Sequence, residues 1–380
     1  MITVNRDTNN VIAVRRVVDI ASQIDVLEPD AAPLTQLMKK ISKKAAINPE
    51  FKWMEEESLV KSDTVDYSTN YTAGGTQVNV DNGSRFRAGD VVKVVATGEQ
   101  LLVTSITSNL MDVQRGWGST SAGNILDGGT LLIVGNANKE GATKRGMKIG
   151  DQSPKTNYTQ IFRTPFGITR TADNSEMYAG GDLKHQRMMQ LIEHQKEMER
   201  AFWFGEPKED LSLMDHPVRA TGGVDYFLST NASDASGTLT ESEFDTFLKT
   251  GFRYGNKTKY LFAAPIVLAA INYWAKGKLL TAPSDKTYGI SVMQYLTPFG
   301  TVNIVLNNIF SEVSTYAGYA YLLDLEGLKY RYLTGSDTKL KTNIQDNSAD
   351  GEEDEYISEV GLQLGQEKKD SLLYNVTSFT

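Results

Sequence analysis

Cysteine is absent from the 380 residues, and histidine occurs only three times. Without cysteine there can be no disulfide scaffold, zinc ribbon, thiol nucleophile or iron–sulfur cluster. Proline is sparse at 10 and glycine ordinary at 32, so collagen-like and disordered classes are excluded. Positive charge is in the minority: 39 Lys and Arg against 47 Asp and Glu give a net charge of −8. That balance argues against tight sequence-independent binding to DNA, which needs basic groups to neutralise phosphates. Long apolar runs are missing as well. The longest, Tyr260 to Ile271, contains Pro265 and falls short of the ~20 residues of a membrane-spanning helix. The opening MITVNRDTNN has no apolar core of a secretory signal, so Asn-X-Ser/Thr matches at Asn70, Asn82, Asn157, Asn231, Asn256 and Asn375 read as chance. The length gives room for roughly two to three domain-sized units of mixed α and β structure.

What is present falls into segments of different character. Residues 1 to about 60 read as an arm. Pro33 opens a short helix in which Leu34, Leu37, Met38, Ile41 and Ala45 follow a 3.6-residue period. The other face carries Lys39, Lys40, Lys43 and Lys44, with like charges one turn apart that need a counter-charge. FKWMEEESL follows, apolar at Phe51 and Trp53 and acidic at Glu55, Glu56 and Glu57. Both charge runs fit a solvated face; they also fit contacts with another chain or with DNA.

From 71 to 137, TQVNV, DVVKVVA, EQLLVTSI, LMDVQRG and GTLLIVG alternate with Gly, Asn and Asp turns. Five short strands at this spacing predict a small antiparallel barrel or sandwich, inserted into a longer element. NYTQIFRTPFGITRT returns as extended chain. Asp182 to Phe204 is the most periodic stretch, with Met188, Leu191, Ile192, Met198 and Phe202 as its apolar stripe and Gly205 as the C′ stop. As one helix it would be a rod of about 34 Å. The remainder alternates: a Thr240/Glu243 capping box opens a helix to Phe252, and Lys259 to Ala263 is a strand. A buried helix follows at Ile266 to Ala275. Further strands are expected at 289–295, 302–306, 319–323 and 328–333 and in DEYISEVGLQL, with Asp350 to Glu355 as an acidic loop.

No chemistry is anchored by spacing. His185 and His194, nine residues apart on one helix, point to opposite faces and cannot share a metal. His216 stands alone before Pro217. GFRYGNKT (251–258) lacks the Gly-Lys pair and the preceding strand of a phosphate loop. DGEEDE lacks the alternating spacing of a calcium loop. No catalytic, cofactor or metal site is assigned, and an enzyme reading has no support.

The order of APLTQLMKK, FKWMEEESL, FRAGDVV…LLVTSI…VQRGWGST, NYTQIF, ERAFWFGE and AYLLDLEGLKYRYL…DEYISEVGLQL resembles the major capsid proteins of tailed bacteriophages. The likeness spans about residues 30 to 376 and is nearest to their SU-ten-like subgroup. It implies an α+β Johnson-type fold. The N-terminal arm would be 1–50, and an extended loop 51–170 would carry the β-barrel or sandwich insertion at 71–137. A peripheral domain at 171–219 would hold the spine helix 182–204. A mixed α/β axial domain would occupy 220–320, and C-terminal strands at 321–380 would return to the peripheral domain. The function implied is an icosahedral head shell around double-stranded DNA, assembled in the host cytoplasm. Partners would be copies of the chain in hexamers and pentamers, portal and scaffolding proteins, a decoration protein, and DNA held without sequence-specific contact; no membrane is involved. Nothing before residue 30 is long enough for a fused scaffolding segment, so a separate scaffolding protein, or a matured form of the chain, would be implied. Inter-subunit contacts are expected at Lys39, Lys40, Lys43, Lys44, Phe51, Trp53 and Glu55 to Glu57. An encapsulin-type compartment of the same fold is the alternative. A β-rich adhesive virion protein is a third reading, which the dispersal of Trp53, Trp117, Trp203 and Trp274 disfavours.

Overall fold

In the computed structural model, residues 32–66, 70–145, 150, 152–175, 182–212, 216–274 and 293–380 are described. The chain divides into two compact units, one formed by Met1–Trp53 with Lys155–Thr380 and the other by Met54–Pro154.

The larger unit is organised by two sheets and one helix. The 23-residue helix Asp182–Phe204 forms over the range its periodicity predicts. Its C-terminal turns are the hub of the core: Met198, Phe202 and Trp203 are fully buried. Met188, expected in the same stripe, is instead 47% exposed, because the helix is covered mainly towards its C-terminal end. Gly205, which follows the helix, has no room for a side chain. A Cβ there would lie 2.4 Å from the Thr221 carbonyl oxygen and 2.5 Å from that of Ala201.

One sheet orders Lys43–Ala46, Leu328–Leu333, Gly351–Leu364 and Gln160–Thr169, with Lys339–Lys341 also paired to the long strand. The arm helix ends at Ile41, earlier than the apolar period suggests. Lys43 to Ala46 are drawn into parallel pairing with Tyr330 to Leu333, and that strand pairing overrides helical propensity. Lys43 and Lys44 therefore leave the helix. The acidic run is likewise no loop. It is the first half of the strand Gly351–Leu364, with Asp354 and Glu355 buried against Arg187 (2.6 Å) and Arg163 (2.5 Å).

The second sheet has six strands in the order Ala232–Leu239, Ser371–Phe379, Ala320–Leu323, Thr258–Ala263, Thr301–Leu306 and Met293–Leu296. Its central strands Ala320–Leu323 and Thr258–Ala263 read as apolar runs because both faces are covered. Leu261, Ala263, Ile304 and Leu322 face the helices Glu241–Gly251 and Pro265–Trp274, whereas Phe262, Val305, Tyr321 and Leu323 pack towards Trp203 and Phe310. The capping box at Thr240 and Glu243 is formed in full. The last strand, Ser371–Phe379, joins this sheet. Ser371–Phe379 pairs parallel to Ala232–Leu239 and antiparallel to Ala320–Leu323.

The smaller unit contains the five expected strands and a sixth, Ser62–Thr64, too short and polar to be read from sequence. Their order is Ser62–Thr64, Thr130–Asn136, Asp90–Val94, Gln100–Thr107, Leu110–Gln114 and Gln77–Asn79, antiparallel throughout. A bridge between Val65 and Val80 joins the first strand to the last, so the sheet closes into a barrel and leaves no long free edge. Val78, Val80, Val92, Leu101, Met111 and Leu131 fill the interior. Glu99, fully buried, receives both prongs of Arg115 (2.8 and 2.9 Å) and the N–H groups of Gly116 and Gly123. Arg115 and the two N–H groups hold the Glu99 carboxyl below the usual range against the opposing effect of burial.

Candidate assembly surfaces

The arm helix Pro33–Ile41 has no capping side chain of its own, since Ala32 stands at its N-cap. Its first N–H groups still need acceptors. The spine helix supplies them through Glu199, which is fully buried. Leu34 N–H donates to Oε1 at 3.0 Å, and Thr35 N–H and Oγ1 donate to Oε2 at 2.7 and 2.6 Å. One turn on, Trp203 Nε1 donates to Oε1 at 2.9 Å, and Asn307 Nδ2 at 3.4 Å. Burial pushes this carboxyl upward, and the converging donors oppose that shift. Nothing local in the sequence distinguishes Glu199 from Glu197 or Arg200, because all its partners except Trp203 lie more than 100 residues away.

The arm helix buries Leu34, Leu37 and Met38. Lys39 lies over the Tyr330 ring and donates to Thr338 Oγ1 at 3.2 Å; burial pulls its ammonium down to about 8. Lys43 pairs with Asp337 and lies over Tyr332. Lys40 and Lys44 are exposed. Lys39 and Lys43 are thus held by Thr338, Asp337 and the Tyr330 and Tyr332 rings of their own chain.

Phe51 and Trp53 correct the expectation that they await a neighbour. They alternate inward on the strand Glu50–Glu56, and are 5% and 9% exposed within their own chain. Trp53 meets Phe227 edge-on at 5.6 Å. Phe51 lies over Gly361, where a Cβ would come within 3.0 Å of the ring, and under the Arg331 guanidinium. Trp53→Ala is therefore expected to destabilise the isolated chain by about 3 kcal/mol in urea unfolding. A stable monomer with reduced particle yield would instead make Trp53 an interface residue. Glu56 and Glu57 are exposed and Glu55 is half-buried; Gln152 Nε2 donates to Glu56 at 3.0 Å.

Of the histidines, His216 is exposed and His185 half-buried, while His194 is fully buried. His194 Nδ1 lies 2.8 Å from Thr164 Oγ1 and Nε2 lies 2.7 Å from Ser358 Oγ. Burial, reinforced by nearby Lys39, pulls it down to about 4. The unfolded chain takes up this proton near pH 6.5 and the folded chain only near pH 4. Stability present above pH 6.5 is therefore lost as pH falls towards 4. Urea midpoints measured from pH 7 to pH 4 should drop, and His194→Gln should flatten that drop. Asn157 is buried, with Nδ2 donating to the carbonyls of Gly222 (3.0 Å) and Leu362 (2.6 Å), so its sequon is inaccessible in the fold.

Among the described residues no three His, Asp or Glu side chains converge as a metal site, and no helix is long and apolar enough to cross a membrane. An apolar cleft of about 320 Å³ lies at the end of the spine helix between Ala201, Phe204, Ile309, Val313 and Tyr316.

The sequence profile of the SU10 major capsid protein family matches residues 2–377. The chain belongs to the SU10 major capsid protein family. A curated relative, the major capsid protein of Pseudomonas phage PaMx41, is 22% identical over 284 residues, covering 71% of this chain and 68% of the relative. The capsid of the native GTA particle superposes with a TM-score of 0.51 at 9% identity, covering 96% of both chains. The capsid of Myoviridae phage XM1 gives 0.49 at 11% identity, covering 96% of this chain and 99% of that one. The fold is that of phage capsid proteins, mixed in α and β.

Proposed function

We propose that the chain is the shell subunit of a tailed-phage head, assembling with its own copies into hexamers and pentamers that close into an icosahedral container for double-stranded DNA. The observation that carries this reading is the family match over residues 2–377. The subunit acts through its interfaces and not as an enzyme. Each interface in a closed shell can be weak, since closure and mass action make the whole strong. Anchoring the helix Pro33–Ile41 through Glu199 supports the reading because it fixes this segment on the helix Asp182–Phe204. The outward Lys40, Lys44, Glu56 and Glu57 are the charged contacts offered to neighbouring copies. The remaining partners of this reading are portal, scaffolding and decoration proteins, with assembly in the host cytoplasm and residence in the virion. The net charge of −8 per copy keeps packaged DNA from adhering to the wall. Sedimentation velocity of the full chain, expressed with its scaffolding partner, tests the reading. Closed particles far heavier than a hexamer are expected; material that never exceeds a monomer or trimer would refute it.

A further inference from the structure

The triplet Asn82-Gly83-Ser84 in the barrel unit has a chemistry of its own apart from its sequon. Asparagine cyclises most readily when glycine follows it, because the glycine amide nitrogen is unshielded by a side chain. In that reaction the Gly83 nitrogen would give up its proton to solvent base and attack Asn82 Cγ. An N–Cγ bond forms, the Cγ–Nδ2 bond breaks, and ammonia leaves with a proton from water. Water then adds to the cyclic imide and opens it to aspartate or isoaspartate. The hazard cannot be removed by replacing the glycine, since a Cβ on Gly83 would lie 2.0 Å from the Ser108 carbonyl oxygen. Instead the fold restrains both reacting groups. Asn82 is exposed to water and base, but Gly83 is buried and its N–H donates to Asn109 Oδ1 at 3.1 Å. Asn109 is fixed in turn, its Nδ2 donating to the Asp81 carbonyl at 3.1 Å. Asn82 Oδ1 accepts from the Ser84 N–H at 3.1 Å and from Ser84 Oγ at 2.6 Å. The flanking backbone is pinned as well: Asn82 N–H donates to Asp63 Oδ2 at 2.9 Å, and Arg85 and Phe86 N–H donate to the Asn82 and Gly83 carbonyls, each at 3.1 Å. To reach Cγ, the Gly83 nitrogen must leave Asn109 and turn its peptide plane against these bonds.

We propose that Asn82 is a latent deamidation site of the barrel unit, and that Asn109, by holding the Gly83 N–H, keeps it intact in the folded chain. The site adjoins the seam at which the barrel closes: Val80 bridges Val65, and Asp81 N–H donates to the Thr64 carbonyl at 3.1 Å. Isoaspartate would add a backbone carbon where Gly83 has no room, and aspartate would add a charge beside Asp63 and Asp81. The test incubates the full chain and a synthetic peptide of residues 77–88 side by side at mildly alkaline pH. Peptide mapping by mass spectrometry then follows conversion of the Asn82 amide to the acid. Conversion is expected to be severalfold slower in the folded chain than in the peptide. Asn109→Ala should accelerate it in the folded chain roughly fivefold, the equivalent of one hydrogen bond. Asn109→Asp keeps an acceptor for the Gly83 N–H while losing the Nδ2 donor, and should react no faster than the wild type. Equal acceleration in both variants, or in neither, would overturn the proposal, as would wild-type conversion at the rate of the peptide. Should Asn109→Ala fail to fold, hydrogen exchange in the wild type decides: the Gly83 amide must be protected, and exchange at the rate of the free peptide would overturn the latch.

Discussion

Glu199→Ala should cost the folded chain about 4 kcal/mol and free the arm helix from the spine helix. The substitution strips the acceptor from Leu34 N–H, Thr35 N–H, Thr35 Oγ1 and Trp203 Nε1 at once. Each buried donor left unpaired costs about 1–3 kcal/mol, and water entering the vacated space recovers part of that. Glu199→Gln keeps the shape and one oxygen but turns an amide donor towards the other donors, so about 2 kcal/mol is expected. Urea unfolding of the purified chain measures both. Hydrogen exchange locates the effect, with Leu34 to Met38 losing protection before the six-stranded sheet does. A Glu199→Ala loss below about 1 kcal/mol, with arm protection intact, would mean that the arm is held by Leu34, Leu37 and Met38 alone.

Arg115→Ala should be the most damaging single change in the barrel, at about 3–5 kcal/mol. It leaves Glu99 ionised and fully buried with only two backbone N–H partners, and it also unties the carbonyls of Thr72 and Gly75 that Arg115 gathers. A barrel of this size has little stability to spare. The damage should remain within the unit Met54–Pro154, because the other unit has its own core. Limited proteolysis should therefore cut between residues 77 and 136 while the fragment containing Trp203 and Phe262 survives. Double replacement of Glu99 and Arg115 by Gln and Met should cost less than Arg115→Ala, since no charge is then left unpaired. Simultaneous loss of both units on Arg115→Ala would contradict this account.

These two carboxylates show where a single sequence is informative. The barrel strands are legible because alternation and turn residues are local signals: Val91 to Val94 and Leu101 to Val103 announce strands, and Gly98 and Gly128 adopt the left-handed turns between them. The capping box at Thr240 and Glu243 is legible for the same reason, as its two members are three residues apart. Glu199 and Glu99 are not legible. A buried charge is recognised by its partners, and those of Glu199 lie at 34, 35 and 307 as well as at 203. The acidic stretch 352–355 reads as solvated until Arg163 and Arg187 arrive from other elements. Lys43 to Ala46 read as the end of a helix because strand pairing with Tyr330 to Leu333 is a tertiary event. Trp53 reads as an anchor in either setting; its partner Phe227 decides that it is a core residue. The family resemblance rests on the order of many weak segments and so gives the fold and the class of function, but not which charged residues meet a neighbour.

Cryo-electron microscopy of particles purified after expressing the full chain with its scaffolding partner tests the central claim most directly. The account predicts a closed shell with icosahedral symmetry, in which every subunit shows the arm helix against the spine helix at Glu199 and the side chains of Lys40, Lys44, Glu56 and Glu57 at boundaries between copies. Discrete monomers or trimers under native conditions, with no closed shell, would contradict it.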